Sequence, residues 1–232
     1  MVELLLLFGI ILDICSEINF MRIQNLLFLF LIFITTESFS QSKSQSILNT
    51  VSNKVKGLKS FYVEFSANVK NSKSGLNQNQ TGKGWVKGQK FYASYGGNTI
   101  ISNGVKTWTV VKDGKTVYVS DANSDDDENM NPKKLMTLWE SGFNNSYSKE
   151  TSLNGKTVHV IALTPKNSKA NYKSITLYIG KSSNDLSKAV MTSKDGTVMT
   201  YSVTKFTSNP SVEDSKFVYD RKKYPGYKEV RE

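Results

Sequence analysis

The chain has 232 residues, 38% of them hydrophobic and 22% charged, with a formal net charge of +10. That length suits one domain with a sizeable core. A single cysteine, Cys15, rules out an internal disulfide, and lysines scattered singly with arginine scarce argue against a nucleic-acid reader.

Residues 1–20 pair an apolar run with Glu3, Asp13 and Glu17 and no basic residue, the wrong flank for an export signal. Met21 restarts the pattern. Arg22 gives a short positive region, residues 23–34 are apolar except Gln24 and Asn25, and Ser38-Phe39-Ser40 has small residues at signal-peptidase spacing. The apolar run is shorter than the about 20 residues of a spanning helix. The expectation is a signal peptide over 21–40, cleaved after Ser40, with residues 1–20 upstream of the true start. A membrane-associated extension is the other reading. Cys15 loosely suggests a lipoprotein box, but Asp13 and Ile14 stand where small residues are wanted.

The first 40 residues hold one basic and four acidic side chains. Their removal leaves 192 residues, 41–232, expected as a single domain, and raises the net charge to +13. Export without cysteine suits the bacterial periplasm. The positive charge reads as a solvated surface, or as attraction to anionic membrane headgroups or an acidic partner.

Residues 45–59 place Ile47 or Leu48, Val51, Val55 and Leu58 three or four apart, an amphipathic helix ending near Gly57. In FYVEFSANV, Phe61, Val63, Phe65, Ala67 and Val69 alternate with more polar residues, a strand with one apolar face. Residues 71–80 read as a polar loop. Strands are expected at 82–87, with Trp85, and at 90–95, with Phe91, Ala93 and Tyr95 on one face.

Residues 98–121 read as two hairpins turning at Asn103-Gly104 and Asp113-Gly114, dipeptides that tolerate positive φ between β-branched runs. An acidic run follows, then a short helix capped by Asn131 and opened by Pro132. Leu135, Met136, Leu138, Trp139 and Phe143 form its apolar stripe. Further strands are expected at 146–153, 156–164, 174–180, 186–193, 197–206 and 217–219, with hairpin turns at Asn154-Gly155 and Asp195-Gly196. Short, evenly spaced strands without a long helix between them predict an antiparallel sheet of about ten strands, curled toward a barrel. No internal repeat or linker divides it.

The rings of Phe61, Phe65, Trp85, Phe91, Tyr95, Trp108 and Trp139 exceed the needs of a flat, half-buried sheet. They either fill a small barrel or line a ligand cavity, and composition does not decide which. No catalytic set is legible. His159, alone in a strand, reads as a surface or satisfied residue. No Ser/His/Asp elbow or Gly-rich phosphate loop is present. Asp121, Asn123, Asp125 and Asp127 begin like a calcium loop, but Asp126 stands where the turn glycine belongs and Pro132 where the bidentate glutamate belongs. The run reads as acidic charge near a helix N-terminus. An enzyme, a metal and a cofactor are not expected.

Several segments in order resemble the outer-membrane lipoprotein carrier (LolA) family: ILNTVSNKVKGLKSFYVEFS, GKGWVKGQKFYASY, IISNGVKTWTVVKDGKTVYV, NPKKLMTLW, VHVIALTPKN, SITLYIGKSSNDL and DSKFVYDRKKYPGYKEV. The resemblance spans essentially the whole mature chain. It implies an unclosed antiparallel barrel with helices as a lid over a hydrophobic cavity. It implies a monomeric periplasmic carrier that binds the acyl chains of lipoproteins released from the inner membrane by an ABC transporter and delivers them to the outer membrane. On that reading Phe61, Val63, Phe65, Trp85, Phe91, Trp108, Leu135, Leu138 and Trp139 contact the acyl chains. A lipid-sensing or other lipid-transfer protein on the same fold is the alternative. The chain departs from the family in one place. Many members carry Arg-Pro just after the segment matching Trp85-Val86-Lys87, and that arginine helps latch the lid. Here Gly88-Gln89 follow, and Lys87 or Lys90 would have to substitute without a guanidinium's fork.

Overall fold

Twelve strands in chain order form one sheet among the residues that the computed structural model describes, 43–122 and 137–231. The expected export signal and residues 123–136, with Leu135, the metal-loop candidate and most of the expected lid helix, lie outside them. The strands are β1 (Ser60–Asn71), β2 (Leu76–Lys87), β3 (Lys90–Tyr95), β4 (Asn98–Ser102), β5 (Lys106–Val111), β6 (Thr116–Asp121), β7 (Phe143–Leu153), β8 (Lys156–Pro165), β9 (Tyr172–Gly180), β10 (Leu186–Ser193), β11 (Val198–Ser208) and β12 (Lys228–Arg231). Their spatial order is β12-β6-β5-β4-β3-β2-β1-β11-β10-β9-β8-β7. Every neighbouring pair is antiparallel except β12 with β6. The ends β7 and β12 are not paired, so the barrel is unclosed, as expected.

Turn chemistry sets most of the connections. Asn154 and Gly155 take φ of 51° and 74°, the left-handed pair that a two-residue hairpin requires. Asp113-Gly114 behaves otherwise: the positive φ falls on Lys115, at 43°.

The helix α1 (residues 43–57) lies on one face of the sheet, its inner face. Leu48 and Val51 pack with Ile161, Leu163, Ile175, Leu177 and Ile179 of β8 and β9. One turn on, Val55 packs with Phe61, Val86 and Phe91 of β1, β2 and β3. The heptad-like spacing of three apolar residues thus joins two distant parts of the sheet. Lys54 adds an ion pair to Asp185 at 2.7 Å.

Three expectations need correction. Phe143 is not part of a helix stripe: it opens β7, and the described end of the preceding segment is a single 3-10 turn, Leu138–Glu140. Residues 71–80 are not a loop. β1 and β2 pair to the very tip, Asn71 opposite Leu76. The tip is closed by Asn71 Oδ1, which accepts from the Lys73 and Ser74 amides at 2.9 and 3.3 Å. Residues 217–219 are not a strand. A 3-10 turn, Asp214–Phe217, ends there, because Phe217 turns inward to full burial. The last strand is β12, which pairs parallel to β6.

Candidate functional site

The inner face is defined by register. In β1, Phe61, Val63, Phe65, Ala67 and Val69 alternate onto it. Their partners place Val86 and Phe91 there from β2 and β3, and Val203, Tyr201 and Met199 from β11. Ala189 and Met191 of β10 and Ile100 of β4 continue the same face.

Packing divides this face in two. Under α1, Phe61 and Phe91 are 2% and 3% exposed and belong to the protein's own core. Trp139 is 2% exposed, and its indole N–H donates to Ser52 Oγ of α1 at 2.9 Å. Beyond those clusters the face is apolar yet only half-buried at Phe65, Val69 and Met199, while half-buried Ile100 and Met191 pack at the clusters' edges. Tyr201, 37% exposed, stands 6.4 Å from the Phe65 ring, centroid to centroid. Burial of its phenol, then the neighbouring Tyr95, pushes the Tyr201 pKa above its ordinary value.

Of the residues the sequence nominates, Val63 and Phe65 lie half-buried on this face, and Phe61, Phe91 and Trp139 lie beneath or beside α1. Trp85 and Trp108 do not join them. Trp85 pairs with Tyr62 and Tyr92, and Trp108 with Ile101 and Val119, all on the opposite, outer face. A register one residue different would reverse that assignment. Leu135 lies outside the described residues, and Leu138 sits in the 3-10 turn. The residues that sequence reasoning missed are Val69, Ile100, Met191, Met199 and Tyr201. Their only signal is alternation, which in β10 and β11 is diluted by threonine, serine and lysine.

The outer face is closed by the C-terminal segment. Tyr219 stacks on Trp108 at 5.5 Å and 14°, and Tyr224 stacks on Tyr219 at 5.6 Å. Lys87 and Lys90 each reach a carboxylate oxygen of Asp214 at 2.8 Å. The two lysines that could replace a lid-latching arginine therefore clamp this segment instead. Hydrogen bonds from Lys87 and Lys90 hold the Asp214 carboxyl down to about 2. The outer face also carries a shallow cleft of about 270 Å³ lined by small polar groups, among them Ser66, Asn68, Thr81 and Ser202.

His159 is 8% exposed, with the Tyr147 hydroxyl 3.3 Å and Glu150 3.5 Å from its Nδ1. It is a satisfied core residue. Among the described residues, no three His, Cys, Asp or Glu side chains stand close enough to hold a metal, and no helix is long and apolar enough to cross a membrane.

The family model for the outer membrane lipoprotein carrier protein LolA matches residues 56–220. No curated protein matches the chain. Among solved structures, an uncharacterized conserved protein from Thermus thermophilus superposes with a TM-score of 0.56 at 12% identity, covering 82% of this chain and 99% of that one. At that identity the likeness shows the fold alone. A LolA superfamily protein from Nitrosomonas europaea has a TM-score of 0.41 and 14% identity, covering 75% of this chain and 97% of that one. Lipoprotein LppX from Mycobacterium tuberculosis has a TM-score of 0.42 and 16% identity, covering 73% and 98%.

Proposed function

The chain belongs to the LolA family of outer membrane lipoprotein carrier proteins, and from that premise we propose that it is a periplasmic carrier of lipoprotein acyl chains. In this reading it takes lipoproteins released from the inner membrane by an ABC transporter and brings them to the outer membrane. The observation that supports the reading is the half-buried apolar stretch of the inner face beyond α1, around Phe65, Val69, Met199 and Tyr201.

The energetics fit transport rather than storage. Burying about ten methylenes contributes about 8 kcal/mol, equivalent to a Kd of about 1 µM before ordering costs. Three acyl chains wholly enclosed would approach the ceiling of non-covalent affinity and would not leave. A face that stays partly open keeps the affinity in a range from which cargo departs. Phe65 and Val63 are the proposed acyl contacts from β1, with Leu135 and Leu138 as contacts from the segment before β7. Phe61, Phe91 and Trp139 support that face from beneath α1.

The test is native mass spectrometry of the protein recovered from the periplasm. Triacylated lipoprotein bound one to one is the expected species. Free phospholipid in its place moves the protein to the alternative, a lipid-transfer or lipid-sensing role on this fold. A wholly empty protein, also refractory to added acyl ligand, ends both readings.

A further inference from the structure

The outer face gathers lysines that make no ion pair among the described residues. Lys216 Nζ lies 4.1 Å from the centre of the Trp85 ring and 4.4 Å from that of Tyr92. Lys83 Nζ stands 5.8 Å over the same Trp85 ring, and Lys205 Nζ 5.8 Å over Tyr62. Lys223 is close enough to Lys216 for its charge to be felt there: burial first, then Lys83 and Lys223, lowers the Lys216 pKa. None of these four lysines makes an ion pair among the described residues.

The nearby acids are engaged elsewhere. Glu64 faces Lys83 and Lys205 in register, but its carboxylate accepts the Tyr62 hydroxyl at 2.7 Å. That bond, with desolvation and the Glu64 charge, pushes the Tyr62 pKa up to about 12. Asp214 is taken by Lys87 and Lys90. Val218, beside the buried Phe217, is 58% exposed.

We propose that this face docks the protein on an anionic phospholipid surface. Like charges held together raise the energy of the free protein, and an anionic layer relieves them. Each lysine near such a surface contributes about 1 kcal/mol, or about fivefold in binding. Half-buried Trp85, Tyr62 and Tyr92 are the amphipathic rings that favour the headgroup level, and exposed Val218 adds an apolar contact. The geometry favours a lipid layer over an acidic protein. The lysines sit on a sheet face, and the cleft that this face carries is lined by hydroxyls and amides rather than by the lysines. Docking here leaves the inner face free and does not depend on what that face carries.

The experiment uses residues 41–232, which contain the whole compact unit Ser44–Glu232 and exclude the apolar leader that would insert by itself. Co-sedimentation is measured with phosphatidylcholine vesicles and with vesicles containing phosphatidylglycerol. Binding is expected only to the anionic vesicles, falling steeply with salt. It should weaken about fivefold for each substitution in Lys83→Gln, Lys205→Gln and Lys223→Gln, which alter exposed side chains and leave the fold intact by circular dichroism. Lys216→Gln gives a fourth, independent point. Equal binding to both vesicle types, or unchanged binding by the triple variant, overturns the proposal. Capture of soluble polyglutamate without vesicle binding also overturns it and assigns the patch to an acidic protein.

Discussion

The Phe65 ring lies over Gly82 so closely that a Cβ on Gly82 would stand 2.3 Å from the ring's Cζ. The obstructing atoms are the far end of a half-buried side chain, so the ring can swing aside. Gly82→Ala should therefore cost the lower end of the about 1–3 kcal/mol typical of overpacking. It should weaken binding of a fluorescent acyl ligand far more than it shifts the urea midpoint. A midpoint shift with acyl affinity intact would remove Phe65 from the contact set. Asp214 offers a pH test. Its folded-state pKa, about 2, lies below the usual carboxylate value. Its contribution to stability is therefore present above about pH 4 and lost as pH falls toward about 2. Asp214→Asn should lower the melting temperature at pH 7, and the difference from wild type should close in that acidic window. At this scale the sequence showed which side chains are apolar but not which face they share. Trp85 and Phe61 differ in face only through the one-residue register of β1 against β2, and nothing local encodes that choice.

Elements were legible where one face is dry and the other wet. α1 shows its spacing because Leu48, Val51 and Val55 meet the sheet while Asn49, Thr50 and Asn53 meet water, and β1 shows its alternation for the same reason. The tip of β2 hid as a loop because Leu76–Thr81 is mostly solvated and carries LNQNQT, with no apolar period to read. The C-terminal segment misled because Phe217 and Tyr219 look like strand residues, yet each is held by contacts that run along no ladder. The turn at Trp139 makes its own prediction. Its indole N–H is buried and has Ser52 Oγ as partner. Ser52→Ala leaves that donor unpaired and should cost about 1–3 kcal/mol, whereas Trp139→Ala adds a cavity and should cost about 3–5 kcal/mol. Denaturant unfolding of the two variants and of the double variant checks this. The double should fall short of the sum, because both changes remove the same hydrogen bond. Strict additivity would mean that the bond contributes nothing.

At the scale of the molecule, one sheet serves two surfaces of opposite character. The inner face is apolar and partly covered by α1, and the outer face is basic, aromatic and strapped by the C-terminal segment. The backbone between them is common, but the side chains are not, since alternation sends neighbours to opposite faces. Perturbations on the two faces should therefore be separable. Phe65→Asp puts a charge beside Tyr201 and Val203 and should abolish acyl-ligand binding, with sedimentation on anionic vesicles unchanged within twofold. Lys83→Glu with Lys205→Glu should do the reverse. Combining the three substitutions should give both losses, each of the size seen alone, because register puts Phe65 on one face and Lys83 and Lys205 on the other. Acyl binding also has a thermal signature. Apolar burial makes the heat-capacity change of binding negative, and calorimetry of the Lys83→Glu/Lys205→Glu variant should show the same negative value as wild type. If the lysine variant lost acyl binding, or if Phe65→Asp lost the vesicles, the faces would be coupled, and cargo and membrane would compete for one surface rather than occupy two.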